Sequence, residues 1–382
     1  MKHKIQLQCG ILHLNIQRAD VELDELLNFA SRANPKRGFL FVSKVLGKHL
    51  PCSPVQMRSS YQSLAQKVGI SSKKTLVLGM AETATGLGAG VADSLAQISQ
   101  NAGQVIYQQT TRHELNIERL LDFDEVHSHA PDQLVYPPSQ KLQSDYLQSE
   151  RLVLVDDEIS TGRTLKELAL ALSTRLSQMS GLSGAHYEVI FVSLVSWLST
   201  KQKQDLQALC PFNIRFESLL EGSFQFEPNL NFKPTLPGKV SACQKAPNAQ
   251  AHLGRQGMDM MGFSTEFKAQ IEIPANLSKD QPVTVIGTGE FTYIPFLLAE
   301  KLHENGFQVS FQSTTRSPIL TGPAIQHSLS FLDEQGEGVS NYLHNPPQDG
   351  QVIIAYESES CRQAHQLPSL IGKQCLTWVC SL

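Results

Sequence analysis

Residues 152–164 (LVLVDDEISTGRT) constrain the fold of this chain more than any other segment. Four apolar residues predict a strand that is buried on both faces, as in a parallel sheet. Asp156 and Asp157 follow at its carboxyl end, where open α/β sheets bind their ligands. A turn rich in hydroxyl groups and glycine then leads into a helix, which is predicted from apolar residues at 165, 168, 169 and 172.

The turn after this acid pair has the chemistry of a phosphate site. Its backbone N–H groups, its Ser and Thr hydroxyls and the helix N-terminus can all donate to phosphate oxygens. The adjacent acids would repel a bare phosphate, but carboxylates also accept hydrogen bonds from ribose hydroxyls and neutralise a metal ion. A phosphorylated sugar with a bound Mg²⁺ fits both parts of the segment. The alternative is an ordinary strand–turn–helix in which a Ser or Thr caps the helix.

Strands and helices alternate through the middle of the chain. Apolar runs at 74–80, 104–109, 151–157 and 187–198 predict strands, and the first two of them flank a predicted helix at 85–100. This order implies βαβ crossovers and therefore a parallel sheet.

The pattern is interrupted by a stretch rich in Pro, Asn and Gln at residues 222–257. Strand and helix patterns resume at 282–302. We therefore predict a first domain over 1–222, a linker or irregular connection over 223–257, and a smaller C-terminal α/β domain over 258–382.

A weak internal repeat relates the two predicted domains. In each, a strand ends in glycine, a glutamate follows three residues later, and the next strand ends in Thr-Thr-Arg, at 110–112 and at 314–316. Any two βαβ units share some features, but the repeated Thr-Thr-Arg favours a common origin. We hypothesise that the C-terminal domain is a degenerate repeat, in which Tyr356 and Glu357 replace the acid pair.

Composition excludes some classes of function. The 382 residues are 41% hydrophobic and 18% charged with a net charge of −4, which argues against a surface built entirely for nucleic acid or an anionic membrane. Residues 26–81 nevertheless hold nine Lys and Arg and no acid. This stretch either meets a polyanion or is a solvated face whose counter-charges lie elsewhere in the fold. The seven cysteines are scattered and indicate neither a disulfide framework nor a zinc site.

No segment of the sequence has the length of a membrane span. The strongest apolar stretch, 190–198, is far shorter than the ~20 residues that a bilayer requires. The first ten residues lack the apolar region of a secretory signal. We therefore expect a cytoplasmic protein without a membrane partner.

Residues 152–164 resemble the phosphoribosyl-pyrophosphate (PRPP) motif of the type I phosphoribosyltransferases. The resemblance implies that Asp156 and Asp157 contact the ribose hydroxyls, and that Mg²⁺ is held mainly by PRPP with these two acids nearby. It implies that the following loop binds the 5′-phosphate through Ser160, Thr161, Gly162, Arg163 and Thr164.

Two further parts of that family have counterparts here. A pyrophosphate loop after an early strand corresponds to Gly79, Met80, Ala81, Glu82, Thr83 and Ala84, although these residues also suit a plain tight turn. A loop that closes over the reaction corresponds to residues 110–130. There the resemblance makes Arg112 a clamp for pyrophosphate, and His127 and His129 candidate donors. Further candidate cations are Lys44 as a catalytic group, Lys48 for phosphate, and Arg316 with Thr315 for a phosphate in the second domain.

Four segments narrow the resemblance. Residues 32–51, GMAETATGLG, DEVHSHA and the C-terminal TTRSP look like a group of bacterial phosphoribosyltransferases that carry an appended TRSP domain. That group is related to the orotate phosphoribosyltransferases and is associated with tellurium-resistance stress gene clusters. The resemblance covers nearly the whole chain except 222–257, and it implies a parallel-sheet phosphoribosyltransferase domain followed by the smaller α/β domain.

The implied activity is Mg²⁺-dependent transfer of phosphoribosyl from PRPP to an unidentified nitrogenous acceptor, with release of pyrophosphate. The acceptor is a base or a nucleoside-like metabolite, and the partners are PRPP and that small molecule, with a homodimer left open. A non-catalytic PRPP or nucleotide regulator on the same fold is the alternative, because a fold does not establish activity. RNA binding through residues 26–81 is a third reading, against which the acid pair and the net charge argue.

Overall fold

The structure is a computed structural model, and it describes residues 1–34, 37–99, 102–123, 133–181, 187–234, 243–372 and 375–381. Within these ranges, no helix combines the length and the apolar character that a membrane crossing requires.

Strands and helices alternate along much of the chain. The strands are β1 (Lys2–Leu7), β2 (Gly10–Ala19), β3 (Leu27–Ser31), β4 (Phe39–Ser43), β5 (Thr75–Gly79), β6 (Val105–Gln109), β7 (His113–Glu114), β8 (Leu121–Phe123), β9 (Gln133–Val135), β10 (Arg151–Ile159), β11 (Glu188–Ser196), β12 (Ile214–Pro228), β13 (Gln244–Lys245), β14 (Met258–Asp259), β15 (Val283–Gly287), β16 (Val309–Ser313), β17 (Ser328–Leu332), β18 (Ser340–His344), β19 (Gln351–Tyr356) and β20 (Cys375–Val379). The helices are α1 (Leu23–Leu26), α2 (Pro54–Val68), α3 (Thr85–Ser99), α4 (Gln143–Leu147), α5 (Arg163–Ser180), α6 (Thr200–Ala208), α7 (Phe263–Gln270), α8 (Tyr293–Glu304), α9 (Glu359–Ala364) and α10 (Leu367–Ile371).

The chain forms two compact units, each built from separate chain segments. The first unit comprises Met1–Met57, Leu220–Ser241 and Ile271–Leu382, and the second comprises Arg58–Leu219 and Ala242–Gln270. Strand β12 passes from one unit into the other. The linear boundaries at 222 and 257 remain a prediction.

The second unit contains the parallel sheet that the sequence predicts. Its strands lie in the order β11-β10-β5-β6, and each neighbouring pair is parallel. Leu152, Val153, Leu154 and Val155 are 0% exposed, which explains why β10 reads as an uninterrupted apolar run. Strand β14 adds to the β6 edge in the antiparallel direction.

Two glycines allow helix α3 to lie close against strand β5. A β-carbon at Gly79 would lie 2.6 Å from the carbonyl oxygen of Ala84, and one at Gly88 would lie 2.6 Å from the Gly79 α-carbon. Real side chains do not tolerate such distances, so this strand-to-helix turn requires glycine at both positions. The close approach fixes the path of the loop between them.

The first unit contains a second parallel sheet and several hairpins. The sheet order is β16-β15-β19-β20, again with parallel neighbours. Strands β1 and β2, β3 and β4, and β17 and β18 pair as antiparallel hairpins. The buried rings of Phe39 and Phe41 and the half-buried ring of Phe224 pack edge to face, with centroids 5.4–5.5 Å apart.

The segment that the sequence predicts as an irregular connection begins as strand. Strand β12 continues to Pro228 and pairs with β2 in the antiparallel direction. Its side chains alternate in burial, a period-2 pattern that the nearby prolines obscure in the sequence.

Candidate active site

The acid pair lies next to the loop that follows β5. Strands β5 and β10 are parallel neighbours, and their register sets Gly79 beside Val155. The residues that follow these two strands therefore leave the sheet at the same edge. The hydroxyl of Thr83 donates a hydrogen bond to Oδ1 of Asp157 at 2.8 Å, across 74 residues of sequence. This bond brings together the two motifs that the sequence singles out.

The loop at 79–84 is held by buried polar side chains from β6 and β9. The Ala81 N–H donates to the Thr110 hydroxyl at 2.8 Å, and that hydroxyl donates to Oε1 of Gln133 at 2.5 Å. The side-chain amide of Gln133 donates in turn to the Ala81 carbonyl at 2.7 Å. Thr110 and Gln133 are 0% exposed, so the network is rigid and shielded from water. Met80, Ala81 and Ala84 are buried, while Glu82 and Thr83 are half-buried.

The acid pair is within reach of solvent. Strand β10 is fully buried through Val155, and Asp156 and Asp157 are then half-buried. The Asp157 N–H donates to Oδ1 of Asp156 at 2.9 Å, which fixes the first carboxylate against the backbone. Carboxylates placed in this way can accept hydrogen bonds from a ligand without the full cost of a buried charge.

The turn after the acid pair opens helix α5, as the sequence predicts. Gly162 has φ +69° and precedes Arg163, the first residue of the helix. A β-carbon at Gly162 would also lie 2.7 Å from Cδ1 of Leu206. Ser160 and Thr164 are half-buried, and Thr161 and Arg163 are exposed. The turn therefore presents hydroxyl groups and a helix N-terminus to solvent, which is a favourable arrangement for an anion.

The structure describes the proposed closing loop, residues 110–130, only as far as Phe123. Arg112 follows Thr111 after strand β6 and is half-buried. His127 and His129 lie outside the described residues. The Tyr146 hydroxyl donates to Oε1 of Gln108 on strand β6 at 2.5 Å, and burial raises the pKa of this hydroxyl.

Sequence reasoning missed a part of this unit that comes from beyond the predicted first domain. Arg255 is 1% exposed, and its Nε donates to the Thr111 hydroxyl at 3.3 Å. The Gln109 N–H donates to the Gly254 carbonyl at 3.0 Å, and Gln108 donates to the Arg255 carbonyl at 2.8 Å. In the sequence, this turn is marked by the glycines at 254 and 257, which adopt φ angles of +105° and +84°. A glycine predicts a turn but does not identify the strand on which the turn packs.

The remaining candidate cations belong to the first unit. Lys44 Nζ donates to the Asp24 carbonyl at 2.5 Å, and Lys48 Nζ donates to the Gly289 carbonyl at 2.7 Å. Arg316 forms an ion pair with Glu337, and Thr315 is 2% exposed. Their assignment to phosphate stays a prediction.

Two cations of the acid-free stretch, Arg58 and Lys74, form ion pairs with acids from elsewhere in the fold. Arg58 pairs with the buried Asp93 at 2.5 Å, and Lys74 pairs with Asp145 at 2.6 Å. The Lys74 ammonium lowers the pKa of the Asp145 carboxyl. For these two residues, the counter-charges come from elsewhere in the fold, and contact of the stretch with a polyanion stays a prediction.

Comparison with known proteins now identifies the family. Residues 26–223 match the model described as phosphoribosyl transferase (PRTase_2), and residues 252–372 match the TRSP domain found C-terminal to PRTase_2. This chain belongs to the PRTase_2 phosphoribosyl transferase family. The predicted family and the predicted α/β fold with a parallel sheet are therefore confirmed.

Among solved structures, this PRTase_2 chain is similar to the crystal structure of orotate phosphoribosyltransferase from Aeropyrum pernix, at 15% identity and a TM-score of 0.27. The similarity covers 48% of this chain and 78% of that chain. No curated protein matches the chain.

Proposed function

We propose that the chain transfers a phosphoribosyl group from PRPP to a nitrogenous small molecule and releases pyrophosphate. Family membership supports phosphoribosyl transfer in general. The observation that carries the assignment of the site is the Thr83–Asp157 hydrogen bond, because it joins the 79–84 loop to the acid pair at one edge of the sheet. A sugar bound by the acids would then have its C1 substituent facing that loop.

Each part of this edge has a role in the proposed reaction. Asp156 and Asp157 accept hydrogen bonds from the ribose hydroxyls, and the turn at 160–164 holds the 5′-phosphate at the start of α5. The lone pair of the acceptor nitrogen forms the new bond to C1, and the C1–O bond breaks with its electron pair leaving on pyrophosphate. The acceptor releases its proton. The backbone of the 79–84 loop and Arg112 stabilise the leaving charge.

Mg²⁺ fits this arrangement as a companion of PRPP. Asp156 and Asp157 supply hard oxygen donors at the accessible end of β10, as Mg²⁺ prefers. Within the described ranges, no group of three or more His, Cys, Asp or Glu side chains is placed to hold a metal, so phosphate oxygens would complete the coordination. Bound there, Mg²⁺ supplies neutralisation of charge on the leaving pyrophosphate.

A titration of PRPP with Mg²⁺ tests the proposal. We expect the wild type to bind, and an Asp156→Asn/Asp157→Asn double variant to bind at least about 100-fold more weakly, because two charge-assisted hydrogen bonds are lost. Asp145→Asn is the matched control. Asp145 is paired with Lys74, next to the first residue of β5 and so at the opposite end of the strands from the acid pair.

Pyrophosphate release with a panel of bases and nucleosides then separates an enzyme from a regulator. Release that requires both an acceptor and the acid pair supports transfer. Tight binding of PRPP without turnover across the panel would favour a non-catalytic PRPP-binding protein on the same fold. A well-folded wild type that does not bind PRPP would contradict the proposal.

A further inference from the structure

The two units contain sheets of the same order and direction. In the second unit the parallel strands are β6-β5-β10-β11, and in the first they are β16-β15-β19-β20. In one sheet β5 lies between β6 and β10, and in the other β15 lies between β16 and β19. Each also has an antiparallel hairpin from the following connection, β8–β9 and β17–β18.

Individual hydrogen bonds repeat as well as the topology. The Thr110 N–H donates to the Gly79 carbonyl at 3.0 Å, and the Thr314 N–H donates to the Gly287 carbonyl at 3.0 Å. The Thr110 hydroxyl accepts from the Ala81 N–H at 2.8 Å, and the Thr314 hydroxyl accepts from the Gly289 N–H at 2.8 Å. This agreement at the loop supports duplication of one ancestral core.

The second copy lacks the features that would bind PRPP. The register of β15 and β19 places Tyr356 and Glu357 where β10 has its acid pair. Tyr356 is 0% exposed and Glu357 is 4% exposed, unlike the half-buried acids of the first copy. Ser358 follows at once and caps the short helix α9, so this copy has no glycine-containing turn between strand and helix.

The loop of the second copy is instead covered by residues of the same unit. Lys48 is 2% exposed and donates to the Gly289 carbonyl at 2.7 Å. Glu334 is 1% exposed, and its Oε1 lies 3.2 Å from the position that a Gly289 β-carbon would take. Glu334 belongs to the connection between β17 and β18, the hairpin that corresponds to β8 and β9 in the first copy.

The segment that carries Lys48 is paired to the second sheet. Cys52 and Phe311 exchange backbone hydrogen bonds of 2.9 and 2.8 Å, and the Ser313 N–H donates to the Gly47 carbonyl at 2.6 Å. Residues 47–52 therefore lie along the end of β16 as a fixed part of the fold, with Lys48 buried at the loop.

From this geometry we infer that the second copy is a converted ligand site, which now binds residues 47–52 of its own chain and holds the Glu334 carboxylate against its former anion loop. A carboxylate tethered at this position competes with any diffusing phosphate at high effective concentration. Glu290 and Glu357, which are 3% and 4% exposed, add negative charge that opposes a polyphosphate. The chain then has a single PRPP site, and Lys48 and Glu334 are structural partners of the second loop.

A stability cycle on the full chain tests the inference independently of PRPP. We expect Lys48→Met and Glu334→Gln each to lower the melting temperature by about 5 °C or more, because the first removes the buried donor to the Gly289 carbonyl and the second alters a buried carboxylate beside the same residue. The double variant should lose less than the sum of the two shifts. Lys4→Met, at an exposed lysine of the same unit, is the control. Additive shifts, or single variants that melt like the wild type, would overturn the inference.

The stoichiometry of PRPP binding is the second measurement. The inference predicts one PRPP site in the wild type. Asp156→Asn/Asp157→Asn should abolish that site, and a folded Glu334→Gln variant should keep it. Two sites in the wild type, or a site that persists in the double-aspartate variant, would overturn it. A wild type that binds no PRPP would contradict the proposed function. The stability cycle would still test whether Lys48 and Glu334 hold the loop of the second copy.

Discussion

The hydroxyl of Thr110 and the side-chain amide of Gln133 are joined by a 2.5 Å hydrogen bond that closes a buried ring around Ala81. Thr110 accepts from the Ala81 N–H, and Gln133 donates to the Ala81 carbonyl. Both backbone polar groups of Ala81 are thus satisfied by side chains that are 0% exposed. The proposed pyrophosphate loop is therefore held in shape before any ligand arrives, which lowers the cost of ordering it on binding.

Thr110→Val should weaken PRPP binding about tenfold. The substitution keeps the shape of the side chain but leaves the Ala81 N–H and the Gln133 amide oxygen unsatisfied, at a cost of about 1–3 kcal/mol. Thr314→Val is the matched control, because it removes the same bond to Gly289 from the other unit. We expect it to reduce stability by a similar amount and to leave the dissociation constant for PRPP unchanged. Equal effects of the two variants on PRPP affinity would contradict the assignment of the loop.

Thr83→Val should also weaken PRPP binding, by roughly three- to tenfold. The variant loses the hydroxyl that donates to Asp157 and so frees this carboxylate to turn away from the ribose. Because Thr83 is half-buried, the effect on stability should be small. Thr83→Ser keeps the hydroxyl and should restore the affinity, as calorimetry can measure. A Val variant with wild-type affinity would show that the bond does not position Asp157 for the ligand.

Gly162→Ala should reduce both stability and PRPP affinity. A residue with a β-carbon is strained at φ +69° by about 1 kcal/mol, and the new methyl group would displace Leu206. We expect about tenfold weaker PRPP binding, because the turn at the start of α5 would shift. Gly181→Ala is a control at the other end of the same helix, with φ +75° and no atom of the described residues within 4 Å of the added carbon. It should lose similar backbone stability and keep its affinity.

The local parts of the proposed site could be predicted from sequence because each is a contiguous pattern. The buried apolar run before Asp156 predicts strand β10. The turn that follows predicts that a helix starts close to the first residue of α5, Arg163. The structure extends β10 through Asp157 to Ile159, beyond the apolar run. The backbone stays extended there because it pairs with β11. The polar residues of this segment do not reveal that pairing in the sequence.

Long-range partners could not be predicted, because nothing local identifies them. Gln133 reads as an ordinary polar residue, yet it satisfies a loop peptide 52 residues away in sequence. Arg255 lies in the predicted connection, yet it is buried against Thr111, across a separation of 144 residues. The sequence presents Lys48 as a candidate cation for phosphate, and the fold shows that its ammonium donates to the Gly289 carbonyl.

The buried His365, between helices α9 and α10, should make the first unit sensitive to acid. His365 is 7% exposed, its Nδ1 lies 3.0 Å from the Tyr356 hydroxyl, and burial lowers its pKa to about 4, against an opposing effect of Asp333. An unfolded histidine has a pKa of about 6.5, so between about pH 6.5 and pH 4 the unfolded state binds more protons than the folded state. The stability of this unit should therefore fall as the pH is lowered through that window, by up to about 3 kcal/mol from this group.

His365→Gln should flatten this dependence. The variant loses packing and is expected to be less stable at pH 7, but its urea midpoint should fall less than that of the wild type between pH 7 and pH 4.5. His344, whose pKa is also lowered by burial, is present in both proteins, so the difference between the two slopes isolates His365. Parallel pH profiles would show that His365 does not remain neutral in the folded protein across this range.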